Sequence, residues 1–415
     1  MSADKALADK GALRLEWARA HMDVLADVRQ GLIKSKVLKG LRIGMALHVE
    51  AKTGVLALTL QEAGAKVRLT SCNPLSTDDS VAVALNERYK LDTRAKKWQS
   101  NKEYYESLHR VLDIKPQITI DDGGDLIFLL HTERRELLDE VIGANEETTT
   151  GIIRLRAMHA EGALKFPVMA VNNASMKYLF DNRYGTGQST MDGILNATNL
   201  LVAGRAFVVA GYGWCGRGIA MRARGMGARV VVTEIDPTRA VEAHLDGFEV
   251  APMAEAVKKA NFIVTATGCR DIITAEHIAN MKDGCVMANS GHFDNEISKD
   301  ALKKASKTVK RVREFVDEYA LGDGRKLYLL AEGRLVNLAA GQGHPVEIMD
   351  MSFAIQALCA GHLAKNGRRM KPGVYDVPRE LDGMVAKLAL SSHGIEIDSL
   401  SKRQKEYLTS WREGT

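Results

Sequence analysis

Several things are scarce in this chain of 415 residues. Its five cysteines (Cys72, Cys215, Cys269, Cys285, Cys359) are scattered, odd in number and without a C-x-x-C pair. That excludes a disulfide framework, gives no zinc or other metal site, and fits reduced thiols in a cytoplasm. Excess charge of one sign is also lacking, since 57 basic residues against 52 acidic ones leave +5. With no interleaving of aromatic and basic residues, nucleic acid is not an expected partner. The basic run at 303–313, broken by Ala, Ser and Val at helical spacing, reads as a solvated helix face. No apolar run approaches the length needed to span a bilayer, so no membrane partner is expected. The beginning, MSADKALADKG, is polar and charged and does not read as a signal peptide. A cytoplasmic location is the expectation. Short-period repeats and low-complexity tracts are absent.

What is present is a soluble globular composition, 46% hydrophobic and 26% charged, in a length that predicts two domains. One stretch organises the rest. Residues 207–210 are an apolar run suited to a buried parallel strand, and they lead into Gly211, Gly213 and Gly216, spaced G-x-G-x-x-G. A helix rich in Ala, Met and Arg follows, stopped by Gly225 and Gly227, and a second β-branched strand, 229–233, ends in Glu234. The first Gly permits a tight turn, the second admits a pyrophosphate, and the third lets helix and strand pack closely. The pyrophosphate then meets the free N–H groups at the positive end of the helix. Glu234 would accept hydrogen bonds from a ribose diol and repel a 2′-phosphate, which favours NAD over NADP.

Strands alternate with helices elsewhere too. Helical spacing covers 13–29, with a polar connection at 34–39, then a strand at 41–47, a helix at 51–63 and a strand at 67–70. Ser76 or Thr77 is placed to cap the next helix. A helix at 102–112 and strands at 117–120 and 167–171 follow, then a connecting helix at 189–202. Later strands are expected at 262–265, 285–288 and 327–330, and a long helix at 346–363. The pattern predicts an α/β protein with two doubly wound parallel-sheet domains. The first has no glycine fingerprint, the second is a Rossmann NAD domain, and a small helical tail begins at 375. The TSWREGT end is either disordered or a subunit contact.

In such sheets functional side chains gather beyond the C-terminal ends of strands. His48, then Asp121, Asp122 and Asp125, then Asn172, then Asn289 to Phe293, and lastly Asn337 with the Gly343-His344-Pro345 turn all fit that rule. Each also has an ordinary explanation. A loop histidine is commonly a surface or capping residue. The Asp-Asp-Gly-Gly-Asp run suits a turn. Lys177 and Asp181, four apart, suit an exposed helical ion pair. Glu146-Glu-Thr-Thr-Thr-Gly suits an N-cap. Together they line both walls of a cleft between two domains.

Longer blocks go further. NEETTTG (145–151), FDNRYG (180–185), GYGWCGRG (211–218), TEIDP (233–237), GHFDNEI (291–297) and LAEGRLVNL (330–338) together resemble S-adenosyl-L-homocysteine hydrolase, also called adenosylhomocysteinase. The blocks fall in the family order, and the resemblance runs from about residue 13 almost to the end. It implies residues 1–181, completed by 338–374, as a substrate domain, 182–337 as the NAD domain, and 375–415 as a tail at a subunit contact in a homotetramer. It implies reversible hydrolysis of S-adenosyl-L-homocysteine to adenosine and L-homocysteine. Bound NAD takes hydride from the ribose 3′ carbon, the ketone acidifies the 4′ hydrogen, homocysteine thiolate leaves, water adds, and the hydride returns. By position in the matching blocks, Asp122 serves the 4′ carbon. Lys177 and Asp181 assist loss of the 3′ hydroxyl proton, which requires an accessible neutral lysine. His48 and His292 handle the leaving thiolate, the water and the oxyanion. Glu147 holds the ribose hydroxyls, Met349 and Phe353 line the substrate pocket, and His344 lies over the substrate, gating the cleft with Phe293. Thr148, Thr149, Thr150, Asn182, Glu234, Asn289 and Asn337 join the three glycines in binding NAD.

Three departures from the family pattern stand out. Thr186 follows the Tyr-Gly of the FDN block where many members carry Cys, so that cysteine's redox role is not available. The sequence ends at Thr415 without the Lys- and Tyr-bearing extension of many members, which predicts looser NAD or other residues in its place. Many members read LHMTVET where this chain reads Leu47-His-Val-Glu50-Ala-Lys52-Thr53. The usual Thr donor and Glu acceptor for adenine become Glu50 and Lys52, which matches the N1–H and O6 of hypoxanthine. The reading needs extended backbone. Either S-inosyl-L-homocysteine, with inosine as product, is accepted or preferred, or Lys52 merely pairs with Glu50. A net NAD-dependent dehydrogenase and a catalytically dead NAD sensor share the fold. The sensor predicts loss of some of Asp122, Lys177, Asp181 and His292, and all four are present.

Overall fold

A computed structural model describes residues 3–412 of the chain; residues 413–415, the last of the TSWREGT end, lie outside the described residues. Two sheets organise it. The first holds β1 (Arg42–Ala46), β2 (Lys66–Thr70), β3 (Asp92–Thr93), β4 (Ile118–Asp121), β5 (Gly143–Glu146) and β6 (Pro167–Ala170). The second holds β7 (Ala206–Ala210), β8 (Arg229–Thr233), β9 (Glu249–Val250), β10 (Phe262–Thr265), β11 (Val286–Asn289), β12 (Ser306–Arg313), β13 (Val316–Leu321) and β14 (Lys326–Leu330). Late in the chain β15 (Gly373–Asp376) returns to the first sheet beside β6.

The order of the first sheet is β15-β6-β5-β4-β1-β2-β3, parallel throughout. That of the second is β12-β13-β14-β11-β10-β7-β8-β9, parallel except where β13 runs against its neighbours. Both sheets therefore reverse direction of growth at one place, between β1 and β4 in the first and between β7 and β10 in the second. Adjacent loops part there and leave a crevice at the strand ends. Apolar layers cover both faces of each sheet. Phe207 and Val209 pack on one side of β7 and Val208 on the other, as the two-residue period of a doubly covered strand requires.

Several expected elements shift. The helix at 13–29 is two, Ala3–Arg19 and Asp23–Ser35. The buried Asp350 carboxylate accepts the Val24 and Leu25 N–H groups and so caps the second from a distant helix, which periodicity could not reveal. Asp78, not Ser76 or Thr77, caps Asp79–Glu87. The basic run is not a helix face: the helix ends at Ala305 and Ser306–Arg313 is an edge strand. Lys310 lies opposite Glu318 and Arg311 opposite Asp317, and each forms an ion pair across the ladder. The connecting helix is Thr186–Thr198, preceded by the π-turn Tyr178–Gly185. The residues from 375 do not form a purely helical tail, because β15 is part of the first sheet.

Candidate active site

The two switch points face each other across one cavity of about 1050 Å³. His48 enters it just after β1 and Asp122 just after β4, while Gly211 and Gly213 enter after β7. The long helix Val346–Asn366 adds Met349 and Phe353. No helix of the described residues is long and apolar enough to cross a membrane.

At the first switch point Asp122 is the hub. His48 Nε2 lies 3.3 Å from one of its oxygens and His292 Nδ1 3.5 Å from the other, so residues from both domains converge on it. Ser76 Oγ sits 2.7 Å from His48 Nδ1, and Nε2 faces Asp122. Burial drives the His48 pKa down to about 4, Asp122 notwithstanding, so the ring is neutral at ordinary pH. Cys72 Sγ is 3.3 Å from His48 Nδ1 and 3.7 Å from Asp122. Its spacing gave no sign of this, because the fold alone brings it there.

A second cluster lies on the π-turn. Such turns widen the helix by one residue and are frequent at functional sites. Here the turn carries Asp181 and Asn182. Lys177 Nζ reaches Asp181 at 3.1 Å, Glu147 at 3.2 Å and the Asn182 oxygen at 2.9 Å. Burial works against the ammonium, but Asp181 and Glu147 together outweigh it and hold the Lys177 pKa above its ordinary value. The expectation of an accessible neutral lysine is therefore corrected: two carboxylates keep it charged. Burial opposes the Asp181 carboxylate, yet Lys177 and then His344, whose Nδ1 is 3.2 Å away, bring its pKa below normal. Glu147 is pushed up to about 7 by burial, against the pull of Lys177. Ser352 and Gln356, on the long helix and missed from the sequence, hold its two oxygens.

Beyond β1 and His48, Glu50 lines the cavity and caps the helix Ala51–Glu62 through the Lys52 and Thr53 N–H groups. Lys52 is helical rather than extended, buried behind the wall, with Nζ 2.7 Å from Glu50 and 2.7 Å from the Gln342 carbonyl. Thr53 stays at the wall.

The cofactor side fits NAD. Gly211 has φ +94°, and a Cβ at Gly216 would fall 1.9 Å from the Gly211 oxygen, so this turn admits no side chain at either place. A Cβ at Gly213 would find only Arg239, at 3.8 Å, and the space above it is open for a pyrophosphate. Thr148, Thr149, Thr150, Asn182, Glu234 and Asn337 line the same cavity. The Asn337 oxygen is buried without a partner among the described residues, as an acceptor for a carboxamide would be. Asn289 is a correction. It does not reach the cavity; its side chain holds the loop above β11, donating to the Gly291, Phe293 and Gly333 carbonyls. Gly216 packs behind the wall, and Phe293 stacks edge-on against His292 outside it.

Comparison with known proteins matches this arrangement. The family model for S-adenosyl-L-homocysteine hydrolase fits residues 1–137, and the model for its NAD binding domain fits residues 182–343. The chain belongs to the S-adenosyl-L-homocysteine hydrolase family. It is 58% identical over 406 residues to a Methanocaldococcus jannaschii protein named S-inosyl-L-homocysteine hydrolase, covering 98% of this chain and 97% of that one. A protein of the same name from Methanothermobacter thermautotrophicus is 57% identical, covering 99% of each chain. An adenosylhomocysteinase from Thermoplasma acidophilum is 56% identical, covering 98% of this chain and 99% of that one. As a member of the hydrolase family the chain is an enzyme that splits a ribosyl thioether to nucleoside and homocysteine, and its cofactor is NAD.

Proposed function

We propose that this hydrolase prefers S-inosyl-L-homocysteine to S-adenosyl-L-homocysteine and releases inosine and L-homocysteine. Glu50, at the cavity wall and fixed by Lys52, carries the reading. An ammonium has three donors, and Lys52 Nζ uses two, on Glu50 and the Gln342 carbonyl. Lys52 itself stays behind the wall and fixes the Glu50 carboxylate, which faces the cavity and would accept from the N1–H of hypoxanthine. Adenine would set its N1 lone pair against the Glu50 carboxylate. The names of two of the three relatives support the same base.

NAD, which Thr148, Thr149, Thr150, Asn182, Glu234 and Asn337 would hold, would supply the hydride chemistry at the ribose 3′ carbon. The rest falls to side chains. Lys177, charged, stabilises negative charge on the 3′ oxygen, and Glu147, poised near 7, takes the proton. Asp181 orients Lys177. Asp122 removes the acidified 4′ hydrogen. His292 and neutral His48 flank it where thiolate leaves and water adds. His344 bridges Asp181 and Thr186 and closes the cavity over the substrate. We take the working form to be a cytoplasmic homotetramer, a reading that the exposed Tyr407, Leu408 and Trp411 of the last helical segment support as a subunit contact; light scattering of the holoenzyme tests it.

The deciding experiment measures homocysteine thiol release by the NAD-loaded protein from the two substrates side by side. A site that pairs buried donors and acceptors discriminates by up to about 10⁴-fold, so a preference of at least ~10²-fold for the inosyl compound is expected. Release from the adenosyl compound alone sinks the base assignment. NADH formed in proportion to product would point to a net dehydrogenase instead.

A further inference from the structure

Two strands of the first sheet end in paired acids, Asp121-Asp122 on β4 and Glu146-Glu147 on β5, and Asp121 lies directly opposite Glu146 in the ladder. Successive side chains on a strand point to opposite sides. The second acid of each pair faces the cavity, and the first is fully buried. The mechanism uses Asp122 and Glu147 and leaves Asp121 and Glu146 without a task.

Asp121 is satisfied locally, accepting the Asp122 and Ile127 N–H groups. Glu146 is different. One oxygen, Oε1, accepts both the Gly123 N–H at 2.8 Å and the Thr148 N–H at 3.0 Å. These are the peptide groups just beyond Asp122 and just beyond Glu147. The other oxygen, Oε2, is buried with no partner among the described residues. The neighbouring helix Thr149–Ala160 is shaped around this carboxyl: a Cβ at Gly151 would fall 2.3 Å from it. A carboxyl in such a place is costly, and nothing about sheet packing calls for one.

We propose that Glu146 is a positioning residue of the reaction, a buried brace that ties the turn carrying Asp122 to the turn carrying Glu147 and the NAD-binding threonines. One oxygen fixes the spacing between the group serving the 4′ carbon and the group holding the ribose hydroxyls. Burial, then Asp121 and Asp122, raise the Glu146 pKa well above the usual range. The inference rests on the assignment of Asp122 to the 4′ carbon.

The test separates two steps of the holoenzyme: reduction of bound nicotinamide on adding nucleoside, and exchange of the 4′ hydrogen with deuterated solvent. Glu146→Ala removes the acceptor. Gly151→Ala keeps Glu146 but displaces its carboxyl, and alanine suits a helix. Ser352 and Gln356 still hold the Glu147 carboxylate in both variants, so 4′ exchange should fall by about tenfold more than nicotinamide reduction, the scale of a lost buried hydrogen bond read as a rate. Glu146→Gln keeps an acceptor oxygen and should restore the wild-type ratio. Exchange and reduction falling in equal proportion in the variants that fold, or an unchanged ratio in both, overturns the brace. If Asp122→Asn still exchanges the 4′ hydrogen, the assignment of Asp122 fails instead.

Discussion

The two switch points that meet over the cavity follow one topological rule with different materials. Beyond β1, β4 and β5 lie His48, Asp122, Glu146 and Glu147, and Lys177 and Asp181 join them from the π-turn, all buried or nearly so. Beyond β7 lie glycines, free helix N–H groups and an open space. The strongly shifted carboxyls and histidine, Glu147 and Asp121 near 7 and His48 near 4, belong to the first domain. Moving protons at neutral pH needs groups whose affinities have been displaced by burial and by each other. Holding a cofactor through each turnover needs a shape. The first domain is therefore sensitive to charge and the second to volume.

The largest test of that contrast is Lys177→Met. It leaves Asp181 and Glu147 facing each other without a cation in a buried site. Turnover should fall by about 10²–10⁴-fold, the usual contribution of such a group. NAD should remain bound while its reduction on adding substrate disappears. Reduction at the wild-type rate would show that the charge is not what the first domain supplies.

A smaller effect probes the second domain with two methyl groups. Gly216→Ala puts a Cβ 1.9 Å from the Gly211 carbonyl and should destabilise the fold by about 1–3 kcal/mol. Gly213→Ala meets nothing nearer than 3.8 Å, so melting of the NAD-free protein should not change. Its methyl instead occupies the pyrophosphate's place, and NAD affinity should drop about tenfold, or ~1.4 kcal/mol. Wild-type NAD affinity in Gly213→Ala would break the argument from volume.

The same contrast explains what could be read in advance. The cofactor turn is local: three glycines, a strand on either side and Glu234 all fall within residues 207–234, because a tight turn and a close approach dictate residue types at fixed spacing. The polar cluster around Asp122 and Lys177 is assembled from residues far apart in the chain, among them His48, Cys72, His292 and His344. Long family-like blocks made the main residues visible. The contacts of Cys72, Ser352, Gln356 and Glu146 stayed hidden, since they exist only after the sheet and the long helix have packed. Asn289 misled for the converse reason. It ends β11 where a ligand-binding residue is expected, but its amide is used up by three carbonyls of its own loop. The strand β12 escaped because an alternating basic run can suit either a helix face or a ladder, and only the acids of β13 opposite it decide.

The remaining test is the one most specific to the charged half. Burial holds His48 at about 4, against an ordinary 6.5. Its folded pKa is depressed, so its contribution to stability is complete above 6.5 and is lost as pH falls towards 4. Between pH 7.5 and 5 the loss should be about 2 kcal/mol, less where water reaches the ring. His48→Gln cannot take the proton and should lack that part of the slope. Urea unfolding of both proteins at the two pH values measures the difference. Parallel losses would mean that His48 protonates as readily in the site as in the unfolded chain. The neutral ring beside Asp122 would then be wrong, and with it the part given to burial in setting the protonation of the first domain.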